Sequence, residues 1–439
     1  VTADDVAFNL TLFNNDLNTM NYRFFSFLIA GIEATKTGPW EVSITHPMSE
    51  HLGNIMRIVD NNLIFPPELY EIYGTEMSTW QNSVGTGPYM IVDSVPDNMT
   101  TLVRNPDYYF KDPVGLGQGN QLPYIETVKV VIIPDLSTQQ AALRTANIDQ
   151  MGGYNLDDKN VMLQQCPNLK WEARGGANIQ PAYMRIDQPP FDNVKVRRAM
   201  MMAVNLDEIN QGLYAGLGTY PSWPYYYSAA YKDLYLSLDD PACPDTVKEL
   251  FTYNPDKAKD LLAEAGYGAT GIKTEVTLLA GDVDYYTIIQ EYLKKINVEM
   301  SIRVIADMGA LMGVAQSRDY EMIVPGVSPP ATYPEQYQYT GGSYINGAVL
   351  DDPYVNEMAD KARVAALTDM KSAMKITKEL QPYIQDLALC LQTPRYPLYT
   401  LWWPWLKNYS GESNVGYWGW GLWIPYCWID QDLKKSMGY

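Results

Sequence analysis

Pro189-Pro190-Phe191-Asp192-Asn193-Val194-Lys195-Val196-Arg197-Arg198-Ala199-Met200-Met201-Met202-Ala203-Val204-Asn205 is the segment whose reading decides the fold. Two prolines hold its entry extended, because each fixes its own φ and restricts the residue before it. Asp192 is placed to cap the first helical turn and to put negative charge at a helix N-terminus. Val196, Ala199, Met200, Ala203 and Val204 recur at i, i+3, i+4, i+7 and i+8, the pattern of a buried helical stripe. Arg197 and Arg198 start off that stripe. Asn205 or Asp207 caps a second short helix that ends near Gly216. An extended crossing therefore runs straight into a core helix.

Upstream of it, short strands mix with helices, which predicts an α/β lobe. Thr2 and Asp5 fit a capping box ahead of the apolar face Val6, Leu10, Phe13 and Leu17. Helices are expected over 22–33 and 52–59, and a strand over 40–44. Gly85-Thr86-Gly87-Pro88 marks a turn ahead of strands at 89–94 and 100–104. A β-branched strand over 125–133 precedes a helix capped by Asp135. Further strands are expected at 169–174 and 183–186. Downstream, Asn254 caps a helix with Pro255 at its first position and Gly266 at its end. Strand and helix signals then alternate over 274–324, the pattern of a second α/β domain with its own sheet. Two helices follow, at 353–366 and 369–385, and 390–403 returns as a strand.

The composition narrows the function. A chain of 439 residues predicts two or three domains. A formal net charge of −19 argues against a nucleic-acid partner, which selects a basic footprint. No run of 18 apolar residues is present, so no membrane span is expected. The four cysteines, Cys166, Cys243, Cys390 and Cys427, form no C-x-x-C pair. Structural zinc is not expected, and one disulfide of unassigned pairing can form in an exported protein. His46 and His51, the only histidines, flank Pro47 and do not make a metal site. No nucleophile elbow, Walker loop or dinucleotide fingerprint occurs, and no cofactor is expected.

Four stretches taken together carry a family resemblance. They are Thr2-Ala3-Asp4-Asp5-Val6; Val84-Gly85-Thr86-Gly87-Pro88-Tyr89 with Arg104-Asn105-Pro106-Asp107-Tyr108-Tyr109; the segment 189–205; and Tyr253-Asn254-Pro255-Asp256-Lys257-Ala258 through Glu264-Ala265-Gly266-Tyr267. In order and spacing the chain resembles the family 5 extracellular solute-binding proteins of ABC transporters, the oligopeptide, dipeptide and nickel binders. The resemblance implies a two-lobe α/β periplasmic-binding-protein fold that closes on a ligand like a hinged trap, with an extra segment in the first lobe. It implies a first lobe over 1–187, incomplete at its N-terminus, a second α/β lobe over 188–395, and a C-terminal segment, 396–439, returning to the first. Members carry an export signal and further residues before the first motif, so the chain is expected to be a fragment. Its place would be periplasmic, or lipid-anchored outside the cytoplasmic membrane. The implied role is non-enzymatic: a monomer that binds a small ligand and hands it to the permease subunits of an importer.

The candidate ligand contacts follow from that frame. The loop 326–335 matches the position of the family's pocket loop, giving Ser328, Tyr333 and Glu335. Peptide-binding members carry there an aspartate that pairs with the ligand's α-amino group. Here Pro330 aligns with it and Val327 replaces a common tryptophan; Glu335 can substitute if the alignment shifts. Tyr183, Arg185 and Asp187 share one face of the crossing strand, either to anchor a polar ligand or to pair Arg185 with Asp187. Tyr220 and Trp223 belong to an aromatic loop that stacks on a ligand or on itself. Trp402 and Trp403 sit at the return crossing, to line a cleft or to pack the first lobe. The aromatics and the missing amine anchor support an oligosaccharide as the alternative ligand. A glycan-degrading hydrolase, requiring paired carboxylates, and a sensing subunit of the same fold are the other classes.

Overall fold

The computed structural model describes residues 1–15, 32–45, 64–175, 180–227, 232–325, 336, 338–341, 344–412 and 421–439. The chain divides into two compact units. One comprises Val1–Ser49, Ile55–Arg174 and Leu398–Tyr439; the other comprises Glu50–Asn54 and Gly175–Pro397. The sequence reading places the corresponding boundaries at 187 and 396.

The first unit is built on small antiparallel sheets. Its N-terminal helix, Ala3–Asn15, opens with half of the expected capping box: the Thr2 amide donates to Asp5 Oδ2 at 2.6 Å. Glu33–Gly38 is a strand paired with Glu41–Thr45, which corrects the helix expected to run to 33. Four β-branched residues, Thr35, Thr37, Val42 and Ile44, satisfy a hairpin better than a helix. The strands Tyr89–Val95, Met99–Arg104 and Thr127–Val131 form a meander. A second sheet places Pro397–Trp402 between Gln150–Tyr154 and Lys170–Gly175. Between these, Asn155 caps the helix Leu156–Gln165, an element the sequence reading omits. Leu143, Tyr154, Met162, Leu169, Tyr399, Leu401, Trp403 and Trp405 make this unit's core.

The second unit holds a five-stranded sheet in the order Val298–Ile305, Ile272–Leu279, Met322–Ile323, Ala182–Met184, Cys390–Leu391. The first three strands are parallel, and the other two pair antiparallel. From Ile272–Leu279 the chain passes through the helix Val283–Lys294 to a strand on one side. It then passes through Met308–Ser317 to Met322–Ile323 on the other side. The connection reverses direction between Ile272–Leu279 and Met322–Ile323. In open α/β sheets, the carboxyl ends of the strands flanking such a reversal are where ligands bind.

The deciding segment forms the expected helix, Val194–Met202, and its stripe is fully buried. Its entry differs from expectation. The Asp192 amide donates to Gln188 O at 2.9 Å, so the approach is a turn, and Asn193 supplies the cap by accepting from the Lys195 amide. Arg197 is buried rather than peripheral. Its Nε donates to Leu387 O at 2.9 Å and its Nη1 to Phe191 O at 2.6 Å. One guanidinium thereby satisfies carbonyls from two segments, although burial lowers its pKa to about 10. The strand expected over 390–403 splits at Pro394 into Cys390–Leu391 and Pro397–Trp402, which join different sheets. Proline cannot donate to a ladder, which accounts for the break. All four cysteines are free, so the disulfide allowed by the sequence is not formed.

Candidate functional site

Tyr183, on Ala182–Met184, is 2% exposed and meets Trp223 edge to face, with ring centroids 5.7 Å apart. Trp223 is 1% exposed and lies 6.4 Å from the Tyr339 ring. The two are brought together, as core. Burial drives the Tyr183 hydroxyl well above its ordinary range, slightly offset by the nearby Trp223 indole N–H. That N–H has no acceptor in hydrogen-bonding geometry among the described residues. Beside it a cavity of about 10 Å³ is lined by Met201, Trp223, Gln385 and Gln392, at the lower limit for a single water.

The aromatic loop is fastened to its own unit. Gln392 Oε1 accepts from the Ser222 and Trp223 amides, both at 3.2 Å, and its Nε2 donates to Trp223 O. Gln338 Nε2 donates to Pro224 O at 2.7 Å, and the Tyr225 and Tyr339 hydroxyls are 2.7 Å apart. Tyr220, half-buried, donates to Leu206 O at 3.3 Å. The aromatic density of 220–227 is thus spent largely on packing.

The crossing strand ends at Met184, so Arg185 and Asp187 do not continue its face. They form a bidentate pair, Nε–Oδ1 3.0 Å and Nη2–Oδ2 2.6 Å. The guanidinium holds the Asp187 carboxyl below its usual range, while Nη1 donates to Arg318 O.

In the first unit, Trp402 and Trp403 are 7% and 2% exposed. Trp403 stacks on Trp405 at 4.6 Å with rings 6° from parallel, and its Nε1 donates to Leu143 O at 2.8 Å. Ser328, Tyr333 and Glu335, with Val327 and Pro330, lie outside the described residues, as do the helix expected over 52–59 and His46 and His51.

One residue that the sequence reading omits stands out at the carboxyl end of Ile272–Leu279. Asp282 closes the 3-10 turn Ala280–Asp282 and precedes the helix Val283–Lys294, yet its side chain makes no capping bond to that helix. It is half-buried, and burial raises its carboxyl pKa to about 6, with no cation among the described residues offsetting it. Its charge reaches Tyr214, Tyr286 and Tyr396. No sequence signal marks it, since an aspartate before a helix ordinarily reads as a cap. At the opposite, amino end of the parallel strands, an open groove of about 570 Å³ is lined by Lys259, Asp260, Ala263, Gly268, Lys295 and Asn297. None of these is an expected contact. Among the described residues no group of histidine, cysteine or carboxylate side chains is arranged to hold a metal ion.

Comparison with known proteins fits this architecture. The description "Bacterial extracellular solute-binding proteins, family 5 Middle" matches residues 1–347. Heme-binding protein A of Haemophilus influenzae is 31% identical over 198 residues, covering 44% of this chain and 31% of that protein. The oligopeptide-binding protein AppA of Bacillus subtilis is 27% identical over 417 residues, covering 88% of this chain and 70% of that protein. The chain therefore spans only about a third of the first relative's length. The solved structure of Bacillus subtilis AppA, in complex with a nonapeptide, superposes with a TM-score of 0.76 at 20% identity. It covers 98% of this chain and 84% of that one.

Proposed function

Because the chain belongs to the bacterial extracellular solute-binding proteins of family 5, we propose that it is the binding component of an ABC importer for oligopeptides. It takes its ligand outside the cytoplasmic membrane and delivers it to permease subunits, and makes or breaks no bond. The observation that carries this reading is the match to an oligopeptide-binding protein along 88% of the chain. Ser328, Tyr333 and Glu335 remain proposed contacts, because in the chain they follow the strand Met322–Ile323 at the switch point. The aromatic side chains that would stack a sugar do not favour an oligosaccharide: Trp223 and Trp403 are enclosed in their own units. Among the described residues, no helix is long and apolar enough to cross a membrane.

Native mass spectrometry of the full-length protein, exposed to medium from its own host, tests the reading. A ladder of adducts with peptide masses is expected. Adducts spaced by hexose units would overturn it in favour of a sugar ligand.

A further inference from the structure

Two polar groups lie in the core of the second unit with their hydrogen-bonding capacity unmet. The Trp223 indole N–H and Gln385 Oε1 are enclosed, and neither has a hydrogen-bond partner among the described residues. Both residues line one small cavity, together with Met201, Leu250, Cys390 and Gln392. We propose that this cavity binds one ordered water, which accepts a hydrogen bond from Trp223 Nε1 and donates one to Gln385 Oε1.

Size and chemistry select water. The cavity, about 10 Å³, has room for one water and for no larger molecule. A purely apolar cavity stays dry, but a donor and an acceptor beside the same space draw water in. Water supplies at once the lone pair that the indole needs and the proton that the amide oxygen needs. A cation would meet the indole proton with like charge, and an anion would meet the amide oxygen in the same way. Left unmet, each group carries the cost of its desolvation.

The neighbouring side chains are already committed. Gln385 Nε2 donates to Trp223 O at 3.5 Å, so turning the amide over would set two oxygens against each other. Gln392 Oε1 accepts from the Ser222 and Trp223 amides, and its Nε2 donates to Trp223 O. The Tyr183 hydroxyl lies near the indole N–H but outside hydrogen-bonding geometry. The water thus joins the side chain of the aromatic loop to the helix Met370–Asp386, where the backbone of that loop is already held by Gln392. Gln385 and Gln392 are 3% and 5% exposed, so the site belongs to the core.

Solution NMR of the full chain, with its eleven tryptophans labelled with nitrogen-15, tests the proposal. Trp223→Phe assigns the indole signal as the one it removes. In wild type, that N–H is expected to show a nuclear Overhauser cross-peak to water with the sign of a long-lived internal molecule. Gln385→Met should keep the indole signal and lose the cross-peak, because the oxygen that holds the water is gone. Tyr183→Phe should keep the cross-peak, because it removes only the nearby hydroxyl. The other indole signals report whether each variant folds. Absence of the cross-peak in wild type overturns the proposal. So does a cross-peak that survives Gln385→Met or vanishes with Tyr183→Phe. A wild-type crystal structure gives a reading that needs no variant. One density peak within hydrogen-bonding distance of both Trp223 Nε1 and Gln385 Oε1 is expected, and a cavity without density overturns the proposal.

Discussion

Two aromatic regions of this molecule differ in how their polar groups are met. In the first unit, Trp402, Trp403 and Trp405 crowd one short segment, and the indole N–H groups of Trp403 and Trp405 are both paired. Trp403 Nε1 donates to Leu143 O, and Trp405 Nε1 donates to Asp149 Oδ1, which is also paired with Lys434. In the second unit, the charge of Asp282 reaches Tyr214, Tyr286 and Tyr396 and is offset by no cation among the described residues. Aromatic density by itself therefore does not distinguish a core from a binding surface. What separates these two regions is whether the charged group beside the rings has an ionic partner, as Asp149 has in Lys434.

The largest effect is expected in the satisfied region. Trp403→Ala removes a stacked, 2% exposed ring and should destabilise the first unit by about 3–5 kcal/mol. Urea unfolding followed by tryptophan fluorescence measures this. A variant of near wild-type stability with altered peptide retention would break the comparison by making Trp403 a ligand contact.

A smaller, pH-dependent effect is expected at Asp282. Its folded pKa of about 6 lies above the ordinary 3.8. The folded chain thus holds this proton when the unfolded chain has lost it, so stability falls as pH rises from about 4 to about 6. The loss should be about 1–3 kcal/mol, allowing for partial access to water. Asp282→Asn should remove that fall, leaving the variant more stable than wild type at pH 7 but not at pH 4. Equal pH profiles for the two proteins would mean that the carboxylate is already compensated.

The smallest effect, with the opposite sign in pH, is expected at Arg185–Asp187. The Asp187 pKa is lowered by its guanidinium partner, so its contribution is present above the unfolded carboxylate range and lost as pH falls below about 4. Because Asp187 is partly exposed, Asp187→Asn should cost no more than about 1 kcal/mol. A double-mutant cycle with Arg185→Met isolates the pair. A negligible stability change with a large loss of peptide retention would return these two residues to ligand binding.

The amino-acid sequence alone determined the secondary structure of the second unit closely. Residues with strong local physics announced themselves: Asn254 with Pro255 at a helix start, and β-branched runs in parallel strands. It also determined the family, because motif order survives where individual residues drift. The tertiary structure decided what local pattern cannot carry. The burial of Arg197 depends on carbonyls that include Leu387 O, 190 positions away in the chain. The split of 390–403 between two sheets depends on which strands wait on either side of Pro394. The fates of Tyr183, Trp223 and Trp403 depended on partners distant in sequence. Asp282 was illegible for the same reason: its significance lies in bonds it does not make, and only the folded neighbourhood shows which bonds those are.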